Sequence, residues 1–190
     1  MQRYQLRNAL RAVLAILTAL ALSACGTIGM MGSGPGAEGA PEWVNQGTGL
    51  ARDGERRLFQ GVGQASGMED RSLQVETADK RARGKLARTL SGYLEGVGRD
   101  HHARAGEGGA TEAEASRSME EVAERSLGEA RITERWRDPE TDTVHARAEL
   151  TLDKVIATAA RVEDLEPALR DHLRRRGEGL FDRSREEDEE

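Results

Sequence analysis

From Thr143 to Leu152 the chain alternates without interruption. Val144, Ala146, Ala148, Leu150 and Leu152 fall on one side, and Thr143, His145, Arg147, Glu149 and Thr151 on the other. A period of two marks a strand with one buried and one polar face, as in an antiparallel sheet covered on a single side. Just before it, Ala130, Ile132 and Trp136 alternate with Arg131, Thr133, Arg135 and Arg137, and Asp138-Pro139-Glu140-Thr141-Asp142 supplies a turn. Together these segments read as a hairpin. A further strand is expected over Leu58–Ser66, with Gly61, Gly63 and Ala65 on the same side as Phe59. Two glycines on one face of a strand imply that something packs very closely there.

The helices follow from a different period. Between Asp70 and Val97, Ala78, Ala82, Leu86, Leu90 and Leu94 recur every four residues, with Tyr93 and Val97 beside them. This is the apolar stripe of a long helix. Gly98 to Ala110 is polar and Gly-rich and is expected to be a loop. A second helix starts at Thr111, with Glu114 placed for a capping box, and carries Met119, Val122, Ser126 and Leu127 on its inner side before ending at Gly128. Asp153 is expected to cap a last helix containing Val155, Ile156, Ala159 and Val162, which is interrupted or restarted at Pro167. Leu165, Leu169 and Leu173 continue a weaker stripe. The order β-α-α-β-β-α gives an α+β fold: a small three-stranded antiparallel sheet with helices packed on one face.

The N-terminus has the layout of an export signal. Arg3, Arg7 and Arg11 precede the short apolar run Ala12–Leu22, and no acid occurs before Cys25. A run of this length suits a signal peptide and falls short of the roughly 20 apolar residues that span a bilayer. Leu22-Ser23-Ala24-Cys25 resembles the lipobox of bacterial lipoproteins. The resemblance implies a lipid thioether on Cys25, cleavage before it and acylation of the new amine. The competing readings are an ordinary signal peptide with a chance Cys, or an uncleaved anchor. Cys25 is the one cysteine of the chain, so disulfides and cysteine-based zinc sites are not expected. By the same resemblance, Gly26, where an Asp would favour inner-membrane retention, points to the outer membrane.

The chain therefore divides into a signal peptide at 1–24, a flexible Gly-rich tether at 25–40, an α+β domain at 41–176 and an acidic tail at 177–190. Asp182–Glu190 holds six acids against two Arg and is expected to be disordered. The whole chain has 28 basic and 34 acidic residues, and loss of three Arg with residues 1–24 leaves a net charge of −9. That sign argues against nucleic acid as a partner. With 3% aromatic residues, the core must be built from Leu, Val, Ile and Ala.

Four segments carry a wider resemblance. Pro41-Glu42-Trp43 follows the lipobox. Phe59-Gln60-Gly61-Val62-Gly63-Gln64-Ala65 is similar to an aromatic-x-small-Val-Gly-x-Ala strand, and Ala78–Ala87 to an Ala-x-x-x-Ala-Arg-x-x-Leu-Ala helix. The region from Ile132 through Trp136 to Leu152 is similar to a closing hairpin. In this order they resemble the LPP-twenty family of small bacterial outer-membrane lipoproteins, over roughly residues 41 to 160. The resemblance implies an envelope lipoprotein with no cofactor and no catalytic residues. Some members of the family serve the flagellum.

Other motifs point to ordinary roles. Gly61-x-Gly63-x-x-x-Gly67 lacks the spacing and the following parallel unit of a dinucleotide loop. His101, His102, His145 and His172 are expected to be solvated rather than metal-bound, and Ser66, Ser72 and Ser91 have no His partner that would make a nucleophile. No metal site is expected. Arg131, Arg135, Arg137 and Arg147 are expected to project together from the polar face of the hairpin. They form either a solvated surface or a docking patch for carboxylates of a second copy, of envelope polymers or of flagellar proteins. The resulting expectation is a non-enzymatic, lipid-anchored protein of the outer membrane, its domain facing the periplasm, that assembles or tethers. The other reading is a periplasmic module that binds a partner protein or ligand.

Overall fold

The alternation at 144–151 forms the central part of a four-stranded antiparallel sheet. The structure, a computed structural model, describes residues 39–105 and 111–189. In chain order the elements are α1 (Glu42–Gln46), β1 (Gly49–Asp53), β2 (Arg56–Ala65), α2 (Arg71–Ala105), α3 (Glu112–Leu127), β3 (Arg131–Arg137), β4 (Val144–Thr151), α4 (Leu152–Ala159) and α5 (Pro167–Glu189). The sheet order is β1-β2-β4-β3, with every neighbouring pair antiparallel. The class is α+β, as the patterning required. The expected signal peptide, Cys25 and nearly all of the expected tether lie outside the described residues.

The sheet has one strand more than the three expected. β1 joins β2 through the two-residue loop Gly54-Glu55, with Leu50 opposite Phe59 and Asp53 opposite Arg56. Gly54 sits at φ +60°, the left-handed value that tight hairpins need at this position and that glycine adopts without a Cβ clash. Gly-Leu-Ala-Arg-Asp has neither alternation nor β-branched residues, so its strand character comes from pairing rather than propensity.

Helix α2 lies on the face of β2 that carries Gly61 and Gly63. A Cβ on Gly63 would overlap Ala78 O and Ala82 N, and one on Gly61 would overlap Ala82 O and reach within 2.8 Å of Leu86 Cβ. Strand and helix backbones are thus in direct contact, as the paired glycines predicted. Asp70 caps the helix, its Oδ1 accepting from Ser72 N at 2.8 Å and Leu73 N at 3.1 Å. Gly98 does not end it. The helix continues to Ala105, because Gly98 is where α3 crosses, with Met119 Cγ 3.5 Å from the place a Cβ would take. Thr111 and Glu114 form the expected capping box of α3.

The C-terminal segment departs furthest from expectation. Residues 177–189 are not a disordered tail but the second half of α5. Leu169, Leu173 and Phe181 are fully buried at four-residue multiples, and Gly177 occupies the missing step. There the Tyr93 hydroxyl donates to Gly177 O at 2.8 Å, and a Cβ on residue 177 would lie 3.1 Å from that hydroxyl. Burial pushes the Tyr93 phenol well above its usual range. Phe59, Tyr93 and Phe181 meet with ring centroids 5.1, 5.4 and 5.9 Å apart, tying sheet, α2 and α5 together. Asp182 completes the closure. It takes Arg57 Nη2 at 2.9 Å and Arg52 Nη2 at 2.6 Å, so the hydrogen bond from Arg57 holds its carboxyl down to about 2.

Two smaller differences concern α1 and α4. Helices do not occupy one face alone: α1 lies on the opposite face, where Gln60 Nε2 donates to Gly47 O at 2.6 Å just after it. The cap of α4 is Thr151, whose hydroxyl accepts from Lys154 N at 3.3 Å, rather than Asp153.

Candidate functional site

The sheet face opposite α2 is the surface on which the expected arginine patch should lie. Residues opposite each other in an antiparallel pair share a face. Trp136 opposite His145, Glu134 opposite Arg147 and Arg131 opposite Glu149 therefore point to this side, with Gln60 and Val62 of β2 beside them. Trp43 of α1 covers its centre and is 5% exposed.

Arg147 is the hub of this face. Its Nη2 donates to Glu134 Oε1 at 2.6 Å, and its Nε lies 3.0 Å from Glu149 Oε1 and 3.3 Å from Thr133 Oγ1. The guanidinium carbon is 5.7 Å from the centre of the Trp43 ring. Two carboxylates and an indole face thus satisfy one cation, and α1 is held to the sheet by that stack. Next to it, Trp136 and His145 pack with centroids 5.3 Å apart. Burial lowers the His145 imidazole below its ordinary range, an effect the charge of Asp138 opposes.

The four arginines are not brought together. A bulge between Ile132 and Glu134 adds a residue to β3 and reverses the facing of everything after it. Arg135 and Arg137 consequently lie opposite Ala146 and Val144, on the side of α2. Arg135 grips Asp79 with two bonds, at 2.8 and 2.6 Å. Arg137 Nη1 donates to Gln74 Oε1 at 3.2 Å and to Asp142 Oδ1 at 2.6 Å. Arg131 is exposed and donates to the carbonyls of Gly128 and Ala130, both at 3.2 Å. The expected single face is corrected: Arg131 and Arg147 lie on one side, and Arg135 and Arg137 buttress the helix from the other. The bulge and the three arginines also blunt the free edge of β3 against pairing with another strand.

The histidines are corrected as well. His101 lies on α2 rather than in a loop, and His101, His145 and His172 are all buried, leaving His102 exposed. Among the described residues no group of three or more His, Cys, Asp or Glu is arranged to hold a metal ion. Two of the surface clefts are lined by described residues. One, of about 370 Å³, runs between the α1–β1 connection, β1 and the end of α5, with Thr48, Gln60, Arg185 and Asp188 in its wall. The other, of about 230 Å³, separates α2 from α3 and is lined by Ser91, Glu95, Arg99, Glu112 and Ser116. Both are polar, open and at or below the small end of ligand-site volumes. Leu73 is the large apolar side chain left exposed among the described residues. No helix among them is long and apolar enough to cross a membrane.

No protein-family model matches the chain, and no curated protein sequence does.

Proposed function

We propose that this chain is a lipid-anchored lipoprotein of the bacterial outer membrane, attached through Cys25, whose α+β domain has a non-enzymatic structural or assembly role. The observation that carries the reading is the sequence Leu22-Ser23-Ala24-Cys25, set where the apolar run ends. The sequence after Cys25, Gly26–Ala40, is rich in Gly and small residues, the composition of a flexible tether. Several acyl chains on one terminus hold a soluble domain where a single chain would bind only marginally. The kinship we infer is with the LPP-twenty lipoproteins, and a place near the flagellar base is the specific role it suggests.

Support for assembly over ligand capture comes from the surface. The two clefts lined by described residues are open and polar rather than enclosed and apolar, unlike a small-molecule site. The second reading, a periplasmic module that captures a partner, rests on the Trp43–Arg147–Trp136 face. It predicts that Trp136→Ala abolishes capture without unfolding the domain.

The test is metabolic labelling with palmitate. The full chain incorporates label and fractionates with the outer membrane, whereas Cys25→Ser incorporates none and yields an intact, folded soluble domain. A Cys25→Ser protein that stays in the membrane fraction refutes the anchor. Deletion of the gene then separates roles: loss of swimming with incomplete basal bodies supports the flagellar assignment, and normal swimming removes it.

A further inference from the structure

The joint between the end of α2 and the start of α5 buries two imidazoles against each other. His101 and His172 lie with ring centroids 5.2 Å apart and planes at 67°. They are 7% and 6% exposed. Neither Nε2 has an aligned hydrogen-bond partner among the described residues, yet each faces a carboxylate. His101 Nε2 is 3.7 Å from Glu166 Oε2. His172 Nε2 is 2.9 Å from Asp100 Oδ2, which sits off the line of a good N–H bond.

The two carboxylates are not equivalent. Asp100 Oδ2 also takes Arg104 Nε at 3.0 Å and Arg176 Nε at 3.2 Å, so two guanidiniums, one from each helix, already share its charge. Burial pushes the Asp100 carboxyl up, but its hydrogen bond to Arg104 and the nearby cations outweigh this and hold it below its usual range. It stays an anion in mild acid. Glu166 Oε2 is buried and receives no hydrogen bond among the described residues. Arg170 is directed away to the carbonyls of Val162 and Leu165.

Among the described residues, the charges facing the pair are thus Asp100 and Arg104 from α2, Arg176 from α5 and Glu166 from the connection before it, two of each sign. One proton has a partner ready, because protonated His101 can close on the unpaired Glu166 oxygen. A second proton would set two cations side by side in a buried joint, against a carboxylate that is already shared.

We propose that His101 and His172 form an acid-sensitive joint between α2 and α5, which accommodates one proton when closed and opens when a second is taken up. Burial, reinforced by the charge of His101, lowers the His172 imidazole below 6.5 despite Asp100. A folded value below the unfolded one means that this stabilisation is complete above about pH 6.5 and is lost as pH falls below it.

The experiment is an NMR titration of the imidazoles from about pH 8 to about pH 5, with amide exchange read at 98–105 and 167–176. His145→Gln serves as the background, since His145 is a third buried imidazole. We expect two separated steps for the pair. Exchange at both segments should rise with the second step only, by up to about tenfold in the opening constant per pH unit for the extra proton. His172→Gln should leave a single His101 step and no acid opening, and His101→Gln should move the His172 step upward. Independent single-site curves with unchanged exchange at low pH would overturn the proposal. So would acid opening that persists undiminished in both single variants.

Discussion

Adding one methylene-sized group to Gly63 should cost this protein a large part of its stability, while the same change at Gly92 should strengthen it. At Gly63 the new Cβ would overlap Ala78 O and Ala82 N, and Arg81 C would lie 2.8 Å away. All three are backbone atoms in the middle of α2, so no side-chain rotation relieves the clash. The helix must back away from β2, which loosens the core that Leu86 and Leu90 of the helix share with Phe59 of the strand. Overpacking ordinarily costs about 1–3 kcal/mol, and the absence of a soft neighbour puts Gly63→Ala at about 3 kcal/mol or more. That is a sizeable share of the roughly 5–15 kcal/mol that holds a domain together. At Gly92, on the exposed side of the same helix, a Cβ meets nothing within 4 Å. There Ala removes backbone freedom from the unfolded chain and should contribute about 0.5–1 kcal/mol. For a domain of this size the expected shifts in Tm are a fall of about 6–12 °C and a rise of about 1–4 °C. Chemical denaturation in one Cys25→Ser background reads both variants on one footing. A Gly63→Ala protein within about 0.5 kcal/mol of its parent would mean that strand and helix are not in backbone contact, and the packing argument would be wrong.

Truncation after residue 176 should remove Phe181 and Asp182 and leave a poorly folded chain, seen as lost near-ultraviolet dichroism. The milder Phe181→Ala should cost about 3–5 kcal/mol by denaturant titration. Asp182→Asn tests the clasp at the other side of α5. Its stabilisation should be present above about pH 4, vanish as the pH falls towards about 2, and be worth about 1–2 kcal/mol after allowance for solvent screening. Asn should therefore flatten the acid limb of the stability curve. Thr111→Ala should cost about 1 kcal/mol through loss of the capping box, and an equal cost in a Glu114→Ala background would show that the two side chains do not act together.

What the sequence disclosed depended on how strictly each element kept its period. β4 alternates over its full length and β2 carries its two glycines on one face, so the hairpin, the long helix and their close contact could all be read directly. β1 could not, because Gly-Leu-Ala-Arg-Asp has no pattern of its own, although Asp53-Gly54 is a turn signal that would have prompted a search for a strand on either side. The bulge in β3 was equally silent. Ile132 and Trp136 suggest one common face, and nothing in Thr133 announces the extra residue that turns Arg135 and Arg137 towards α2. In α5 the stripe was present but broken by Gly177, whose missing side chain makes room for the Tyr93 hydroxyl. Beyond that break, Phe181 lies in a segment whose charge pattern is that of a solvated tail. The buried His101–His172 pair was hidden for the same reason as the extension of α2, since Gly98 marks a helix crossing and not a helix end.

The position of Phe181 has a consequence for the order of events during biogenesis. Synthesis from the N-terminus delivers the sheet and α2 well before the residues that fill the space between Phe59 and Tyr93 and neutralise Arg52 and Arg57. Until those last turns arrive, the largest aromatic contact in the core has no third member and Arg57 has no carboxylate from α5. The domain therefore locks only after its final residues have emerged.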